Sequence, residues 1–215
     1  MKKILLAFVF LISGLSLKAQ STYVRFETSL GNITVMLYDA TPKHRDMFLA
    51  AVKKGVYTDA QFNRVIKDFV SQGGELDDSI LNQEKQHPEW GAKRLPAEII
   101  PPLYHKKGAL GAGRDDNPDK ASYFNQIYFV AGKPQTDEQL DAVEEKRKVN
   151  MPEMRRALYK KTGGTPRLDG DYTVFGEITE GMEVADAING VSTDKNDVPL
   201  KPVKFTVKVI RQKKL

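Results

Sequence analysis

The chain has 215 residues, 40% of them hydrophobic, and a formal charge of +5 at neutral pH. It contains no cysteine, which excludes a small scaffold held together by disulfides and catalysis by a cysteine nucleophile. A slight surplus of positive charge does not provide the concentrated basic face that nucleic-acid binding needs, so we expect no nucleic-acid partner.

The first twenty residues, MKKILLAFVFLISGLSLKAQ, have the pattern of a secretory signal. Two lysines precede an apolar run from Ile4 to Leu15, which is too short to span a bilayer as a helix, and the small residue Ala19 follows. We expect a signal peptide over residues 1–19, whose three lysines take the formal charge from +5 to +2 on cleavage. The remaining domain, residues 20–215, is then exported, most simply to the periplasm, without stable membrane insertion.

Two strand-like runs, Tyr23–Thr28 and Ile33–Tyr38, open this domain and predict a β-hairpin, since both alternate partly between apolar and polar residues. The next segment predicts an amphipathic helix. Thr41 has the chemistry of a helix cap, Pro42 suits the first helical position, and Gly55 suits the stop.

Further short strands follow. They are predicted at Phe62–Ile66, Phe69–Ser71, Gly108–Gly113, Ile127–Val130, Tyr172–Ile178 and Val203–Arg211. Gly73 and Gly74 favour a backbone bend, and the polar, proline-containing run over residues 77–105 is expected to be mostly loop. Many short strands with few helices indicate a mainly β fold with a closed sheet or barrel.

Charged helical segments follow the strand predicted at Ile127–Val130. Thr136 and Gln139 stand at capping-box spacing, and a second helical pattern follows Pro152. We interpret residues 136–164 as a charged helical insertion between two strands, with the role of a solvated lid or decoration favoured over a catalytic one. A last helix, with one apolar face, is predicted before Gly190.

The usual catalytic and cofactor motifs are missing from the sequence. His44, His87 and His105 are not spaced as metal ligands and are expected at the surface. There is no G-x-S-x-G motif, and the glycine-rich stretch GALGAGRDD lacks the lysine and serine of a phosphate-binding loop. We therefore expect neither a metal nor a cofactor.

The stretch FNRVIKDFVSQGGEL suits a reaction in which the protein only has to position the substrate and polarise one of its bonds. Rotation about the peptide bond before a proline breaks no bond but crosses a barrier of about 18–20 kcal/mol. In the twisted state the nitrogen becomes a hydrogen-bond acceptor, so that a fixed N–H donor binds this state selectively. Arg64, Phe69 and Gln72 supply a rigid donor, an apolar wall and an amide.

This stretch resembles the signature of the cyclophilin family of peptidyl-prolyl cis-trans isomerases, usually F-H-R-V-I-x-x-F-M-x-Q-G-G-D. The similarity continues in order through HKKGALGAGR, NQIYFV and LDGDYTVFGEITEGMEVADAI. It covers most of the chain from Tyr23 to Arg211, outside the loop and the insertion. The resemblance implies a closed eight-stranded antiparallel barrel capped by two helices, with its site on the outer face. We expect a monomer that binds proline-containing, extended or unfolded polypeptides and assists the folding of exported proteins.

The resemblance also implies roles for individual residues. Arg64 is the catalytic arginine, and Gln72 contacts the backbone of the substrate. The other implied substrate-binding residues are Phe69, Val70, Gly113, Arg114, Gln126, Tyr128, Leu168 and Tyr172. Of these, the proline pocket is lined by Phe69, Val70, Tyr128 and Leu168. The groove for the preceding residues is lined by Gln126, Gly113 and Arg114.

Several of these positions depart from the family pattern. Val70 replaces a methionine and Tyr128 a phenylalanine, which keeps the pocket apolar but adds a polar tip. Gly113 replaces an alanine, and Arg114 replaces an asparagine and adds charge beside the groove. Arg167 stands where many eukaryotic members have a tryptophan, which argues against tight binding of the inhibitor cyclosporin. We expect catalysis to survive these changes.

Other interpretations of the same residues remain open. Arg64 also fits a surface arginine paired with Asp68 or Glu75. A slip in the alignment would place Phe129 in the pocket instead of Tyr128. At the level of the whole protein, one alternative is a catalytically weak, cyclophilin-like polypeptide-binding chaperone or scaffold. Another is a lipocalin-like carrier of small molecules, which requires a hollow barrel.

Overall fold

A computed structural model describes residues 22–210, in which eight strands and five α-helices occur. The predicted signal peptide, residues 1–19, lies outside the described residues, and so does Arg211 at the end of the last predicted strand. Between residues 22 and 210 no helix is both long and apolar enough to cross a bilayer.

The secondary structure follows the predicted order of strands. The strands are β1 (Thr22–Thr28), β2 (Gly31–Leu37), β3 (Ala60–Ile66), β4 (Val70–Gly74), β5 (Ala109–Ala112), β6 (Gln126–Val130), β7 (Val174–Glu180) and β8 (Val203–Ile210). The helices are α1 (Pro42–Lys53), α2 (Asp77–Gln86), α3 (Asp137–Arg147), α4 (Glu153–Thr162) and α5 (Met182–Asn189). Single 3₁₀ turns lie at Pro88–Trp90 and Pro166–Leu168.

All strand pairs are antiparallel, and the sheet closes on itself in the order β1-β2-β7-β5-β6-β4-β3-β8. Strand β1 closes the barrel because it pairs with both β2 and β8. Its residue Phe26 lies opposite Ile33 on β2 and opposite Val207 on β8. The prediction of a closed, eight-stranded antiparallel barrel is confirmed.

Aromatic side chains fill the interior of the barrel. The ring centroid of Phe26 lies 5.0 Å from that of Phe129 and 5.6 Å from that of Phe205, and Phe62 lies 4.7 Å from Phe205. These rings are buried together with inward-facing apolar residues of every strand except β4. A packed interior leaves no room for the ligand of a hollow barrel, so the small-molecule carrier is the wrong interpretation.

Helices α1 and α5 cover the barrel core. Phe48 and Ala51 of α1, with Ala185 and Ile188 of α5, belong to the same buried apolar cluster as the barrel interior. This confirms the two capping helices. The other helices, α2, α3 and α4, lie outside this pair, and α3 and α4 both fall within the predicted insertion at residues 136–164.

The expectation that residues 77–105 are mostly loop was wrong at their start, where α2 forms. The helix has acidic residues in its first turn, which suit the positive end of a helix dipole, but it buries none of its side chains. A helix without a buried apolar stripe gives no periodic signal in the sequence.

The predicted bend at Gly73 and Gly74 is only partly confirmed, because both residues belong to β4, although Gly74, its last residue, has a φ of +89°. The lack of a side chain at these two positions lets neighbouring groups approach the backbone of β4 closely. A Cβ at position 73 would lie 3.0 Å from the Phe205 ring, and one at position 74 would lie 2.0 Å from the carbonyl oxygen of Asn125.

Two of the three histidines are buried, contrary to the prediction that all lie at the surface. His44 and His105 are almost completely inaccessible, and each binds a carboxylate, Glu98 and Asp169 respectively. His87 is half exposed, in agreement with the prediction. Sequence separation hides such pairs, since the partners are 54 and 64 residues apart.

Glu98, and not the predicted Thr41, supplies the side-chain cap of α1. Its carboxylate accepts from the backbone amides of Lys43 and His44 at 3.1 and 2.9 Å and from Nδ1 of His44 at 2.7 Å. The Thr41 hydroxyl donates to the carbonyl of Tyr38 at 3.4 Å instead. The loop that carries Glu98 is thereby attached to the helix start.

This pair makes stability depend on pH. Burial lowers the pKa of His44, against the opposing effect of Glu98. Burial alone would raise the pKa of Glu98, but hydrogen bonds from the His44 side chain and from the helix amides hold it below its ordinary value. The unfolded state therefore binds more protons than the folded state as the pH falls, first at His44 and then at Glu98.

We predict that the free energy of unfolding falls as the pH drops below about 6.5, the ordinary pKa of histidine, by at most about 1.4 kcal/mol per pH unit for one histidine. His44→Gln should reduce this slope, whereas His87→Gln, at an exposed site, should leave it unchanged. Urea unfolding at several pH values measures the slope. An unchanged slope in the His44→Gln protein would contradict the assignment.

Candidate active site

The outer face of the barrel carries a second apolar cluster, separate from the core. Its buried members are Val70, Ala109, Tyr128, Val130 and Val174, and the half-buried residues packed on them are Tyr38, Phe69, Leu103, Leu168 and Tyr172. Apolar side chains on the outside of a barrel whose interior is already filled mark this face as a candidate binding surface.

Polar side chains form a row beside this cluster. Arg64 on β3 lies opposite Gln72 on β4, Gln72 lies opposite Tyr128 on β6, and Tyr128 lies opposite Gly111 on β5. Residues directly opposite one another on neighbouring strands share a face of the sheet. The barrel thus places a guanidinium, an amide and a phenol side by side.

A cleft of about 200 Å³ lies over the row. All ten predicted site residues line it, together with one that was not predicted, Asp77: Arg64, Phe69, Val70, Gln72, Asp77, Gly113, Arg114, Gln126, Tyr128, Leu168 and Tyr172. The structure therefore brings together residues from β3, β4 and β6 and from four connecting segments.

Tyr128, and not its neighbour Phe129, faces the cleft. Phe129 points into the barrel, where its ring lies 5.0 Å from Phe26. Tyr128 belongs to the outer cluster and contacts Tyr172 edge to face at 6.2 Å. The one-residue slip left open by the sequence would exchange these two faces of β6.

Arg64 is half exposed at one end of the row. Its nearest carboxylate is that of Asp197, 3.6 Å away, and not Asp68 or Glu75. Asp68 pairs with Lys133 instead. An ion pair this exposed contributes at most about 1 kcal/mol, so it does not prevent the guanidinium from donating to a ligand in the cleft.

Gln126, two positions before Tyr128 on β6, is buried in the lining of the cleft and is held by two acceptors. Its amide donates to the carboxylate of Asp77 and to the carbonyl of Glu75 at 3.2 Å. Gly113 makes room for it, because a Cβ there would lie 1.8 Å from the Gln126 amide oxygen. Asp77 was missed because it opens α2, the helix that the sequence did not reveal.

Arg114 forms one wall of the cleft, and its guanidinium already donates hydrogen bonds to backbone carbonyls of the protein. Its guanidinium donates to the carbonyls of Asp171 at 2.7 Å, Asp115 at 2.6 Å and Asn117 at 3.2 Å, and lies 4.8 Å from the centre of the Tyr172 ring. The positive charge does lie beside the groove, as expected, but it serves chiefly to hold the loops.

Arg167 covers part of the other wall. Its guanidinium carbon lies 3.9 Å from the centre of the Phe69 ring, a cation–π contact that shields one face of the ring. This is the position at which the sequence lacks the tryptophan of many eukaryotic cyclophilins.

The cleft offers hydrogen-bond donors and apolar walls. In the part of the chain from residue 22 to residue 210, no cluster of three or more histidine, aspartate or glutamate side chains is arranged to hold a metal ion. Beneath the cleft, His105 binds the hydroxyl of Tyr128, and Asp169 in turn binds His105, a feature that sequence reasoning missed. No local motif links them, since His105 and Tyr128 are 23 residues apart.

Comparison with known proteins places these features in one family. The family model described as cyclophilin type peptidyl-prolyl cis-trans isomerase/CLD matches residues 23–209. Peptidyl-prolyl cis-trans isomerase cyp18 of Streptomyces antibioticus is 31% identical over 185 residues, which cover 84% of this chain and 93% of that protein.

Two further comparisons differ in what they cover. A Streptococcus pyogenes protein whose name combines a phosphatase with a peptidyl-prolyl cis-trans isomerase is 30% identical over 184 residues, 84% of this chain, but the chain spans only 37% of its length. A Cryptosporidium parvum cyclophilin type peptidyl-prolyl cis-trans isomerase, crystallised in the presence of the dipeptide Ala-Pro, shares the fold. Its TM-score is 0.63 at 20% identity, covering 88% of this chain and 99% of that one.

Gly111→Ala tests whether the Tyr128 ring has the position described. A Cβ there would lie 2.2 Å from Cζ of Tyr128 and 2.4 Å from its hydroxyl oxygen, so the ring must move. We predict a loss of about 1–3 kcal/mol in the free energy of unfolding, measured with urea.

Gly190→Ala is the matched control for this substitution. The added Cβ would meet no atom closer than 3.4 Å, so we expect a change within about 0.5 kcal/mol. Equal stability of the Gly111→Ala protein and the parent would show that the ring readily leaves its position.

Proposed function

Because the chain belongs to the cyclophilin family, it is a peptidyl-prolyl cis-trans isomerase, and we propose that the outer-face cleft is its active site, with Arg64 and Gln72 as catalytic residues. The observation that carries this proposal is the row of Arg64, Gln72 and Tyr128 across three neighbouring strands, beside an apolar cleft.

The cleft provides a place for the proline ring. Phe69, Val70, Leu168 and the ring of Tyr128 present apolar surface to it. Holding the ring still while the preceding carbonyl turns is the geometric requirement of the reaction, because the barrier lies in the conjugation of the C–N bond.

Gln72 stands next to Arg64 and supplies an amide that both donates and accepts, which suits a contact to the substrate backbone. The residues that precede the proline extend along the groove past Gly113 toward Gln126. Such contacts fix the substrate in place, while the turning group itself is left free.

Arg64 acts on the twisted state. When the amide is twisted, its nitrogen regains a lone pair, and a guanidinium N–H that points at this atom binds the twisted state more tightly than either planar isomer. An arginine keeps its charge and presents several donors in a rigid fork. Since no covalent bond forms or breaks, the proposed mechanism needs no cofactor.

Export is a further part of the proposal. It is supported by the N-terminal pattern of two lysines, an apolar run and a small residue. The proposed role is to accelerate X–Pro rotation in polypeptides that fold outside the cytoplasm, most simply in the periplasm, with the enzyme acting as a monomer.

We predict that Arg64→Ala lowers kcat/KM for an Ala-Pro-Phe peptide by about 100-fold, the scale expected for removal of a transition-state donor. NMR exchange between the cis and trans peptide measures the rate. Arg25→Ala, on β1 and away from the cleft, is the matched control and should keep full activity.

Arg64→Lys separates charge from geometry, because it keeps the charge but loses the fork, and it should remain well below the parent. Peptide binding without acceleration by the parent would instead favour the catalytically weak polypeptide-binding chaperone or scaffold.

Export predicts a defined N-terminus. Mass spectrometry of the protein recovered from the periplasmic fraction of an expressing bacterium should show a chain that begins at Gln20. Ala19→Leu, which removes the small residue at the cleavage site, should yield an uncleaved precursor. A parent protein that retains residues 1–19 and stays in the cytoplasmic fraction would contradict export.

A further inference from the structure

A buried polar network connects the proline cleft to the helical insertion. It begins at the hydroxyl of Tyr128, which lies 2.9 Å from Nε2 of His105. Nδ1 of His105 lies 2.8 Å from Oδ1 of Asp169, and the backbone amide of His105 donates to the same oxygen at 2.8 Å. All three side chains are buried.

The contacts of Asp169 determine how the imidazole is protonated. The carboxylate can only accept, so Nδ1 of His105 carries a proton. In a neutral ring Nε2 is then an acceptor, and the Tyr128 hydroxyl must donate to it. The hydroxyl proton of Tyr128 is therefore directed away from the cleft.

The second oxygen of Asp169 is bound by the insertion. Tyr159 of α4 donates its hydroxyl to Oδ2 at 2.6 Å, and Arg155, one turn earlier on the same helix, pairs with that oxygen. Tyr159 also packs with Leu140 of α3 and with Met151 in the small apolar core of the insertion. The insertion thus holds the carboxylate from the side opposite to His105.

The protonation states are consistent with these roles. Burial alone would raise the pKa of Asp169, but the hydrogen bonds from His105 and Tyr159 and the charge of Arg155 hold it below its ordinary value. Burial, with additions from Tyr172 and Asp169, raises the pKa of Tyr128 well above its ordinary value, so that the phenol keeps its proton.

Tyr128 is constrained on another side as well. Its hydroxyl end lies over Gly111, where a Cβ would come within 2.4 Å of the oxygen. The ring is therefore confined both by a steric contact at the backbone of β5 and by a directed hydrogen bond to His105. A side chain fixed in this way presents one surface to a ligand in the cleft.

We propose that the α3–α4 insertion is a positioning element of the active site: Tyr159 and Arg155 hold Asp169, Asp169 orients His105, and His105 fixes the Tyr128 ring against the proline. This inference rests on the proposed function, since it takes the outer-face cleft as the proline site. It replaces the earlier interpretation of the insertion as a solvated lid or decoration. None of the network residues except Tyr128 touches the substrate, so they are positioning residues.

The test is a double-mutant cycle. Tyr159→Phe removes one hydroxyl from the insertion side and should lower kcat/KM for the Ala-Pro-Phe peptide by roughly five-fold, the scale of one hydrogen bond. In a Tyr128→Phe background the same substitution should cause no further loss, because the hydroxyl through which it acts is gone. An equal loss in both backgrounds, or no loss in either, would overturn the proposal.

Tyr57→Phe is the matched control. Tyr57 is buried in the barrel core, and its hydroxyl has no hydrogen-bond partner among the described residues. Loss of this hydroxyl should leave kcat/KM unchanged in both backgrounds. A five-fold fall here as well would mean that any buried tyrosine is equally sensitive, and the proposal would fail.

Two NMR measurements on the parent protein do not depend on activity. The imidazole ¹⁵N spectrum should show Nδ1 of His105 protonated and Nε2 as acceptor, and the Tyr128 ring should flip slowly. The opposite tautomer or a rapidly flipping ring would overturn the proposal even if the Tyr159→Phe protein did not fold. If Arg64→Ala kept full activity, the proposed function would fail, while the same spectra of the Tyr159→Phe protein, compared with those of the parent, would still decide whether the insertion holds Tyr128.

Discussion

Four phenylalanine rings, those of Phe26, Phe62, Phe129 and Phe205, pack against one another inside the barrel with centroids 4.7 to 6.1 Å apart. This packing decides where a site can be. Because the inward positions are taken by side chains that stabilise the fold, a ligand can be held only by the outward positions. On β3, β4, β6 and β5 the outward positions carry the row from Arg64 to Gly111, so the same alternation that fills the interior also aligns the site.

Two buried histidines attach the connecting segments to this barrel in the same manner. Nδ1 of His44 lies next to the carboxylate of Glu98, and its Nε2 lies next to the hydroxyl of Ser122. In the same way, Nδ1 of His105 lies next to the carboxylate of Asp169, and its Nε2 lies next to the hydroxyl of Tyr128. Both carboxylates also accept backbone amides. Each unit satisfies its polar atoms in a buried setting, where an unpaired group would be costly. One unit holds a loop to α1, and the other holds the insertion to the wall of the cleft.

The sequence predicts much of the fold, because strands such as β8 alternate clearly between buried and exposed residues. It does not reveal α2, which buries no side chain, nor the pairing of Glu98 and Asp169 with histidines far away along the chain. The site residues were identified through the ordered motifs of a family. Asp77 escaped because its role depends on where α2 begins, which only tertiary structure determines.

The small apolar core of the insertion, formed by Leu140, Met151 and Tyr159, has a consequence for local unfolding. A cluster of this size buries too little surface to keep two helices folded on its own. The order of α3 and α4 therefore depends on their attachment to the barrel, in which Asp169 takes part. Transient opening of these helices would expose their amides to exchange and their loops to proteases, and it would release Asp169 while the barrel itself stayed closed. The enzyme would then have two levels of native structure, with the proline cleft at the boundary between them.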